Sequence, residues 1–275
     1  MSNDDDKHAW GKFTPVGAGS ALLLIQQLGF ARGSVKKHLG SLWSRMGLKT
    51  PVDIRYSGLK FRVHPFDNTV EYKMLFGSKL RDGQELKALR ESVASGGVFL
   101  DIGANIGYYA LMAASFGARR VIAFEPNPKV FSRLDFNIKA NGLESRVKAL
   151  QIALGAETAT TTMMVSDHDM GGSHIAHDGN ESGTAIMVQM MPLKNVLQEE
   201  QFDRVDALKI DVEGMEDSVL LPFFETSDKR LWPRVVIIEH TSQQQWKRDI
   251  LSWMIEAGYR EIERNRSNAI LQLSE

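Results

Sequence analysis

The sequence predicts an α/β fold built on a mostly parallel sheet with helices on both faces. Short apolar runs alternate with helical patterns from about residue 98 onward, as buried parallel strands and their crossover helices do. The last two runs, REIER and NAILQL, are joined only by residues 265–267, so we expect them to pair antiparallel.

The composition is that of an ordinary globular protein. Of the 275 residues, 43% are hydrophobic and 24% charged, with a formal net charge of −1, which gives no global attraction to nucleic acid or acidic lipid. Cysteine is absent, which excludes disulfides, thiolate zinc sites, iron–sulfur clusters and thiol nucleophiles. We expect a cytoplasmic location, since the start lacks the basic region of a signal peptide.

Residues 1–50 are predicted to form a basic amphipathic extension. No acidic residue occurs between Asp6 and Asp53. Apolar residues repeat there at helical spacing, namely Val35, Leu39, Leu42, Trp43 and Met46. We favour a helix packed on the main domain over a peripheral membrane contact through residues 20–49, because packed amphipathic helices are far commoner. The run ALLLI is too short to span a bilayer, which takes roughly 20 apolar residues.

Residues 51–95 are predicted to form a β-hairpin and a helix that precede the main domain, 96–275. The segment VDIRYSGLKFRVH alternates around Ser57-Gly58, which is typical of a hairpin. A polar stretch, DNTVEYKMLF, follows, and then a helix to about Ser95. Ser95-Gly96-Gly97 breaks the pattern before the main domain begins.

The main domain divides into alternating predicted elements. Strands are expected at 98–102, 120–124, 147–152, 205–210 and 235–239, and helices at 106–117, 128–140 and from Met215 to Phe224. A further helix carries Trp246, Ile250, Trp253 and Met254 and ends near Gly258. Residues 157–192 instead predict two extra strands that flank a polar loop.

A glycine turn follows the first of these strands in VFLDIGANIGYYAL, residues 98–111. Glycines allow a sharp turn and a close approach by a ligand. A phosphate-binding P-loop is excluded, because Tyr108-Tyr109 follow the second glycine instead of Lys and Ser or Thr. A dinucleotide fingerprint wants glycine at the first, third and sixth positions of the turn, and only the first is met, by Gly103.

S-adenosylmethionine (SAM) fits the turn better. SAM is cationic and has no phosphate, so carboxylates such as Asp101 favour it. Glu125, at the end of the next strand, is placed to accept both hydroxyls of a ribose. Asn127 and Pro128 are typical of a helix N-cap and first position. The predicted cofactor site comprises Asp101, Gly103, Ala104, Asn105, Gly107, Glu125, Asn127, Ala153 and Asp211.

Carboxylates follow the later strands. Ligands of open α/β sheets bind beyond the carboxyl ends of the strands, where Asp211, Glu213 and Glu239 fall. We expect these three and His240 to converge on one cleft. There the carboxylates would deprotonate a hydroxyl, with Asp211 or Glu213 as the base or its organiser. A divalent metal held by three of the four groups is an alternative, although we assign no metal site.

These motifs together resemble a known family. DIGANIG, FEPNP, NIKANGL, GGSHI and KIDVEGME occur in the order found in FkbM-family SAM-dependent methyltransferases, over residues 52–273. The resemblance implies a Rossmann-like, class I methyltransferase sheet of seven strands with an antiparallel last strand. It also implies SAM as cofactor and a hydroxyl acceptor on a sugar or secondary metabolite. Glu216 matches an acidic position of the family.

Other functions are less favoured. Cytosine-C5 methylation needs a cysteine, amino-methylating DNA enzymes carry an N-P-P-Y type motif where this chain has DVEG, and no basic, aromatic-rich face indicates nucleic acid. We therefore expect a small-molecule partner, with a glycan among the candidates. A non-catalytic SAM-binding scaffold and a methyltransferase for another acceptor class remain alternatives.

Overall fold

The computed structural model describes residues 4–27, 34–77, 82–166, 169–175 and 183–274. Its centre is the predicted seven-stranded sheet. The strands are β3 (Val98–Ile102), β4 (Arg120–Phe124), β5 (Val147–Leu150), β10 (Ala207–Ile210), β11 (Val235–Glu239), β12 (Tyr259–Arg264) and β13 (Asn268–Leu273). Their spatial order is β12-β13-β11-β10-β3-β4-β5, and only β13 runs against its neighbours. The expected fold class is confirmed.

Helices cover both faces of this sheet. They are α1 (Ala18–Gln27), α2 (Ser34–Arg45), α3 (Thr69–Phe76), α4 (Gly83–Val93), α5 (Tyr108–Ser115), α6 (Pro128–Ala140), α7 (Leu193–Glu199), α8 (Glu216–Thr226) and α9 (Ile250–Glu256). Successive strand residues point to opposite faces. Phe99 joins a core with helices α1 to α6, and Leu100 joins a second core with α7, α8 and α9. Burial on both faces explains the nearly continuous apolar runs in the sequence.

A smaller sheet is formed by strands that follow β5 along the chain. It contains β6 (Ala153–Leu154), β7 (Ala159–Val165), β8 (His174–Ile175) and β9 (Thr184–Met191), in the order β6-β9-β7-β8. Strands β7 and β9 are the two extra strands that the sequence predicts, and they pair antiparallel from Ala159 to Val165. Residues 167–168 and 176–182 of the predicted polar loop between them lie outside the described residues.

The hairpin of β1 (Val52–Tyr56) and β2 (Leu59–Val63) is tied to the start of the chain by a buried ion pair. Arg62 is 1% exposed and donates to both carboxylate oxygens of Asp53, at 2.8 and 3.1 Å. The remaining guanidinium N–H groups donate to the carbonyls of Asp5, His8 and Ala9. The charge is thus neutralised and hydrogen-bonded, which a buried pair requires to be tolerated.

Backbone edges of the hairpin are covered on both sides. On β1, the N–H of Asp53 donates to the carbonyl of Phe13. On β2, the Asn141 amide accepts from the N–H of Lys60 at 2.9 Å and donates to its carbonyl at 2.8 Å. The Asn137 side chain accepts from the N–H of Arg62 at 2.9 Å. These two asparagines are one helical turn apart on and just after α6, so they meet alternate residues of the strand.

Three local predictions are wrong. The stretch from Thr69 to Phe76 is helix α3, because the Asn68 side chain accepts from the N–H groups of Val70 and Glu71 and caps it. Leu42 and Met46 of the predicted stripe are exposed, whereas Leu39 and Trp43 are buried, and the side chain of Val35 lies outside the described residues. Trp246 precedes α9, which begins after its own cap at Asp249.

No helix in the described ranges is long and apolar enough to cross a bilayer. The described part of residues 1–50 shares a core with the main domain, since Leu22 and Trp43 pack in the same cluster as Leu111. The boundaries at residues 50 and 95, the membrane contact and the cytoplasmic location stay predictions.

Replacing Arg62 with alanine should lower the free energy of unfolding by about 3–5 kcal/mol, because Asp53 would remain buried without its partner. Urea denaturation measures the loss. Arg119→Ala is the control, since its 3.8 Å pair with Asp203 is exposed and should contribute less than about 1 kcal/mol. Equal losses in the two variants would contradict a structural role for the buried pair.

Candidate active site

The glycine turn joins the ends of three strands. The N–H groups of Gly103 and Ala104 both donate to the carbonyl of Phe124 at the end of β4. On the other side, a Cβ at Gly103 would lie 1.9 Å from the carbonyl oxygen of Asp211, just beyond β10. Gly103 also has a φ of +76°, which favours glycine. Both conditions require glycine, and they bring the turn against the Asp211 loop.

Glu125 is fixed at the start of the turn between β4 and α6. It is 7% exposed, and its oxygens accept from the N–H groups of Asn105 at 3.0 Å and Asn127 at 2.9 Å. Burial raises the pKa of Glu125 to about 7, against these two hydrogen bonds, which lower it. Each oxygen keeps a lone pair, so the carboxyl group has acceptor capacity for a vicinal diol.

Asp101 lies within β3 and exposes very little of its surface. It is 1% exposed and accepts from the N–H of Ala110 at 2.9 Å, inside the first turn of α5. Burial raises its pKa to about 6, while Lys209 lowers it. Lys209 is the register partner of Asp101 on β10. Asp101 therefore fixes α5 to β3 and faces the cation next to it.

Lys209 is a site residue that the sequence reasoning missed. Its ammonium donates to Asp211 Oδ2 at 3.0 Å and lies 4.9 Å from the ring centre of Tyr109. Burial lowers its pKa, but Asp211 and Asp101 outweigh that effect and leave the pKa above its ordinary value. A lysine inside an otherwise apolar strand, ALKI, was the available signal, because lysine is almost never buried without a partner.

The Asp211 loop holds Glu213 in an unusual backbone conformation. Glu213 has a φ of +55°, and Gly214 follows at +100°. Glu216, fully buried at the start of α8, accepts from the N–H groups of Val212 and Gly214 and from the Trp246 indole at 2.6 Å. A strained residue of this kind persists only where its surroundings hold it, and such residues cluster at functional sites.

The charged neighbours that act most strongly on Glu213 among the described residues are acidic. Burial, and after it the negative charges of Asp211, Glu239, Glu216 and Asp169, raise the pKa of Glu213 to about 7. No described residue donates a hydrogen bond to its carboxyl group, unlike the other carboxylates nearby. A carboxyl group with a pKa near 7 exchanges protons readily at neutral pH.

Glu239 ends β11 and faces the same space. It is 8% exposed, and its Oε1 accepts from the N–H and the hydroxyl of Thr241. Its Oε2 is buried and has no hydrogen-bond partner among the described residues. The expectation that His240 joins the cleft is wrong: its Nε2 faces the carbonyl of Asn265, and the residue lines neither cavity described below.

Two adjoining cavities meet at the turn. The Glu125 groove is lined by Glu125, Phe124, Ile152, Ala153, Leu154, Met170 and His174 among others. The acidic cavity, of about 350 Å³, is lined by Lys73, Asp82, Asp101, Ala104, Tyr109, Asp169, Lys209, Glu239 and Thr241 among others. Five residues line both, namely Gly103, Asn105, Gly171, Asp211 and Glu213. The structure thus brings the predicted catalytic carboxylates beside the predicted cofactor residues.

The segment ahead of the main domain completes this junction. Asn68 donates to the Asn105 side chain at 2.8 Å, and Asp169 accepts from the N–H of Thr69 at 3.0 Å. Met170 in turn donates its N–H to the carbonyl of Asp67 at 2.8 Å. These contacts join α3 and the 169–175 segment over Asn105, and the sequence reasoning assigned neither Asn68 nor Asp169 to the site.

Two predicted cofactor residues line neither cavity. Gly107 has a φ of +90° at the start of α5, where a Cβ would lie 2.5 Å from Leu134. Asn127 is buried and caps α6 through the N–H of Lys129. Gly107 and Asn127 therefore have structural roles next to the site, and their direct contact with a cofactor stays a prediction. In the described ranges, no group of His, Cys, Asp and Glu side chains is arranged to hold a metal ion.

The strand order with one antiparallel strand, and cavities at the carboxyl ends of its parallel strands, define a Rossmann-like α/β fold. A family model described as the methyltransferase FkbM domain matches residues 101–261, more than half of the chain. The chain belongs to the FkbM methyltransferase family.

Three relatives show how far the similarity extends. Methyltransferase sdnD of Sordaria araneosa is 31% identical over 150 residues, covering 44% of this chain and 58% of that protein. The 31-O-demethyl-FK506 methyltransferase FkbM of Streptomyces tacrolimicus is 28% identical, covering 60% and 70%. Hexuronic acid methyltransferase AglP of Haloferax volcanii is 27% identical, covering 51% and 56%. The chain thus spans little more than half of sdnD and AglP.

Replacing Gly103 with alanine should destabilise the fold by about 4 kcal/mol or more, because the new methyl group collides with the Asp211 carbonyl. Gly142→Ala is the matched control. Its φ is +65° and no atom lies within 4 Å of its Cβ, so it should cost about 1 kcal/mol. Thermal unfolding compares the two. Equal losses would attribute the effect to backbone conformation alone.

Proposed function

We propose that this protein transfers the methyl group of SAM to a hydroxyl oxygen of a small molecule. The observation that carries the proposal is the junction of the two cavities, where Asp211 and Glu213 line both. A donor held in the groove and an acceptor held in the acidic cavity would meet there. Holding two reactants in the right geometry is a large part of catalysis in such a transfer.

The Glu125 groove offers the chemical groups that a nucleoside needs. Glu125 offers two oxygens to a ribose diol, and the apolar side chains of Phe124, Ile152 and Leu154 offer contact area to a base. Acidic residues at the junction attract the cationic end of SAM. When bound, SAM supplies an electrophilic methyl group on a sulfonium.

Glu213 is the proposed general base. Its raised pKa allows it to accept the hydroxyl proton at neutral pH. Asp211 is bound by Lys209, so it is better suited to hold the neighbouring charges than to take the proton. Glu239 lies across the cavity, with one oxygen held by Thr241. In this proposal all three predicted catalytic residues, Asp211, Glu213 and Glu239, act where the acceptor binds.

The proposed class of acceptor is supported by the lining of the acidic cavity and by the substrates that the relatives' names give. AglP acts on a hexuronic acid and the Streptomyces enzyme on a demethylated FK506, both small molecules. The acidic cavity holds polar acceptors from six carboxylates, which suits a molecule rich in hydroxyl groups. A sugar or a hydroxylated secondary metabolite is therefore the proposed substrate.

Glu125→Gln should weaken SAM binding by about 10–100-fold, because the amide keeps only one acceptor oxygen and loses the charge. Isothermal calorimetry measures the affinity. Glu144→Gln is the control, since Glu144 is exposed on the loop after α6. Unchanged affinity in Glu125→Gln would contradict the assignment of the groove to the cofactor.

Turnover should rise with pH and level off above about pH 7, since Glu213 must be ionised to accept a proton. Glu213→Gln should lower kcat by about 10²–10⁴-fold and abolish this limb of the pH profile. A profile that keeps the limb in Glu213→Gln would exclude Glu213 as the base. Asp211→Asn with full turnover would exclude Asp211 likewise.

The same variant has a stability signature. A raised carboxyl pKa means that the folded state prefers the protonated form. The corresponding stabilisation is present below the ordinary value of 4.5 and is lost as pH rises through about 7. Glu213→Gln stays neutral, so it should unfold at a higher temperature than the parent protein at pH 8 but not at pH 4.5. A lower unfolding temperature at pH 8 would contradict the raised pKa.

A further inference from the structure

We infer that Asn68 is a positioning residue for cofactor binding: it turns the side-chain amide of Asn105 so that the NH₂ group faces bound SAM. This inference deepens the proposed function and rests on it. Two observations carry it. A chain of hydrogen bonds leaves the Asn105 amide a single orientation, and the amide nitrogen lies at the junction of the two cavities.

The chain of hydrogen bonds begins at the N-terminus of α3. Asn68 Oδ1 accepts from the N–H groups of Val70 at 3.0 Å and Glu71 at 3.2 Å. Because an N–H group donates only to an acceptor, this helix cap fixes which end of the Asn68 amide is the oxygen. The other end is therefore the NH₂ group, and it donates to Asn105 Oδ1 at 2.8 Å.

Asn105 is held through both its backbone and its side chain. Its N–H donates to Glu125 Oε2 at 3.0 Å, and its φ is +51°, a conformation that asparagine adopts more readily than most residues. Since its Oδ1 accepts from Asn68, its Nδ2 must be the end of the amide that points elsewhere. Among the described residues, this nitrogen has no hydrogen-bond acceptor, so it is left for a ligand.

The amide nitrogen of Asn105 lies at the junction of the cavities. A Cβ added at Gly171 would be 2.7 Å from it, and both residues line the Glu125 groove and the acidic cavity. The other polar side chains that line both cavities are Asp211 and Glu213, whose ionised carboxylates only accept hydrogen bonds. SAM presents acceptor oxygens on its carboxylate and its ribose. The Asn105 NH₂ group is the side-chain donor that this junction offers to them.

Asn68 itself is separated from the ligand space. It is 2% exposed, and it is not among the described residues that line the groove or the acidic cavity. Arg133 on α6 fixes the segment around it, donating to both carboxylate oxygens of Asp67 at 2.9 and 2.7 Å and to Glu71 Oε1 at 2.6 Å. Asn68 therefore acts on the cofactor through Asn105.

Two substitutions separate this role from the helix cap. Serine and aspartate cap helices about as well as asparagine does. Asn68→Ser keeps the cap but removes the amide donor, so the Asn105 amide is free to rotate. Asn68→Asp places an acceptor against Asn105 Oδ1, so the Asn105 amide must turn over and present its oxygen to the cofactor. A role in capping alone predicts that neither substitution alters binding.

Isothermal calorimetry with the full chain and S-adenosylhomocysteine measures the effect. We expect binding to weaken about threefold in Asn68→Ser and at least about tenfold in Asn68→Asp, with both variants folded by circular dichroism. Asn105→Gly should itself weaken binding while tolerating the positive φ, and in that background neither Asn68 substitution should have a further effect. Asp249→Ser is the control, because it exchanges one capping residue for another at α9.

Each outcome decides the matter. Failure of S-adenosylhomocysteine to bind the parent chain would overturn the proposed function and this inference with it. Normal binding by the parent with unchanged affinity in both Asn68 variants, or in Asn105→Gly, overturns the inference alone. A loss that persists in the Asn105→Gly background also overturns it, since such a loss would come from the added charge or the cap and not from the Asn105 amide.

Discussion

The approach of Gly103 to the carbonyl of Asp211 is the constraint on which the site depends. With no side chain between them, the turn after β3 and the loop after β10 share one small volume. The same turn is held to β4 by the carbonyl of Phe124. Three strand ends are thus held together, and each brings one function: Asn105 from the turn, Glu125 from β4, and Asp211 with Glu213 from β10. A wider separation would part the groove from the acidic cavity.

Burial of carboxyl groups is the energetic cost of this arrangement. Burial raises the pKa of Asp101 to about 6 and those of Glu125 and Glu213 to about 7, so ionising them at neutral pH opposes folding. The Glu213 backbone adds strain. Stability must come from the two apolar cores, whose members Phe124, Leu154 and Tyr109 also line the cavities. Active sites commonly sacrifice stability in this way.

The sequence predicts those parts of the fold that leave a local signal. Helix α6 begins and ends where Asn127-Pro128 and Asn141-Gly142 predict, because helix caps depend on residues that are adjacent in the sequence. The carboxylates after β10 and β11 were also predictable, since parallel strands end at one edge of a sheet. Trp246 was wrongly predicted to lie in a helix because its spacing is helical. Its indole N–H instead donates to Glu216, 30 residues earlier in the chain.

Contacts between distant segments left no such signal. Asn68 meets Asn105 across 37 residues, and Asp169 meets Thr69 across 100, so their roles depend on the folded chain. The positive φ of Glu213 is equally invisible, because glutamate rarely adopts it. The role of Lys209 could have been predicted, because it is a charged residue inside an otherwise apolar strand. The residues that tune the site are thus harder to predict than those that form it.

The asparagines that cover β2 have a consequence for self-association. An isolated two-stranded sheet exposes unpaired N–H and C=O groups on each outer edge, and such edges attract strands of other molecules. Here the amides of Asn137 and Asn141 take the place of a third strand, and Phe13 closes the opposite edge. The segment NIKAN therefore does more than end a helix. It keeps the hairpin from serving as a template for aggregation.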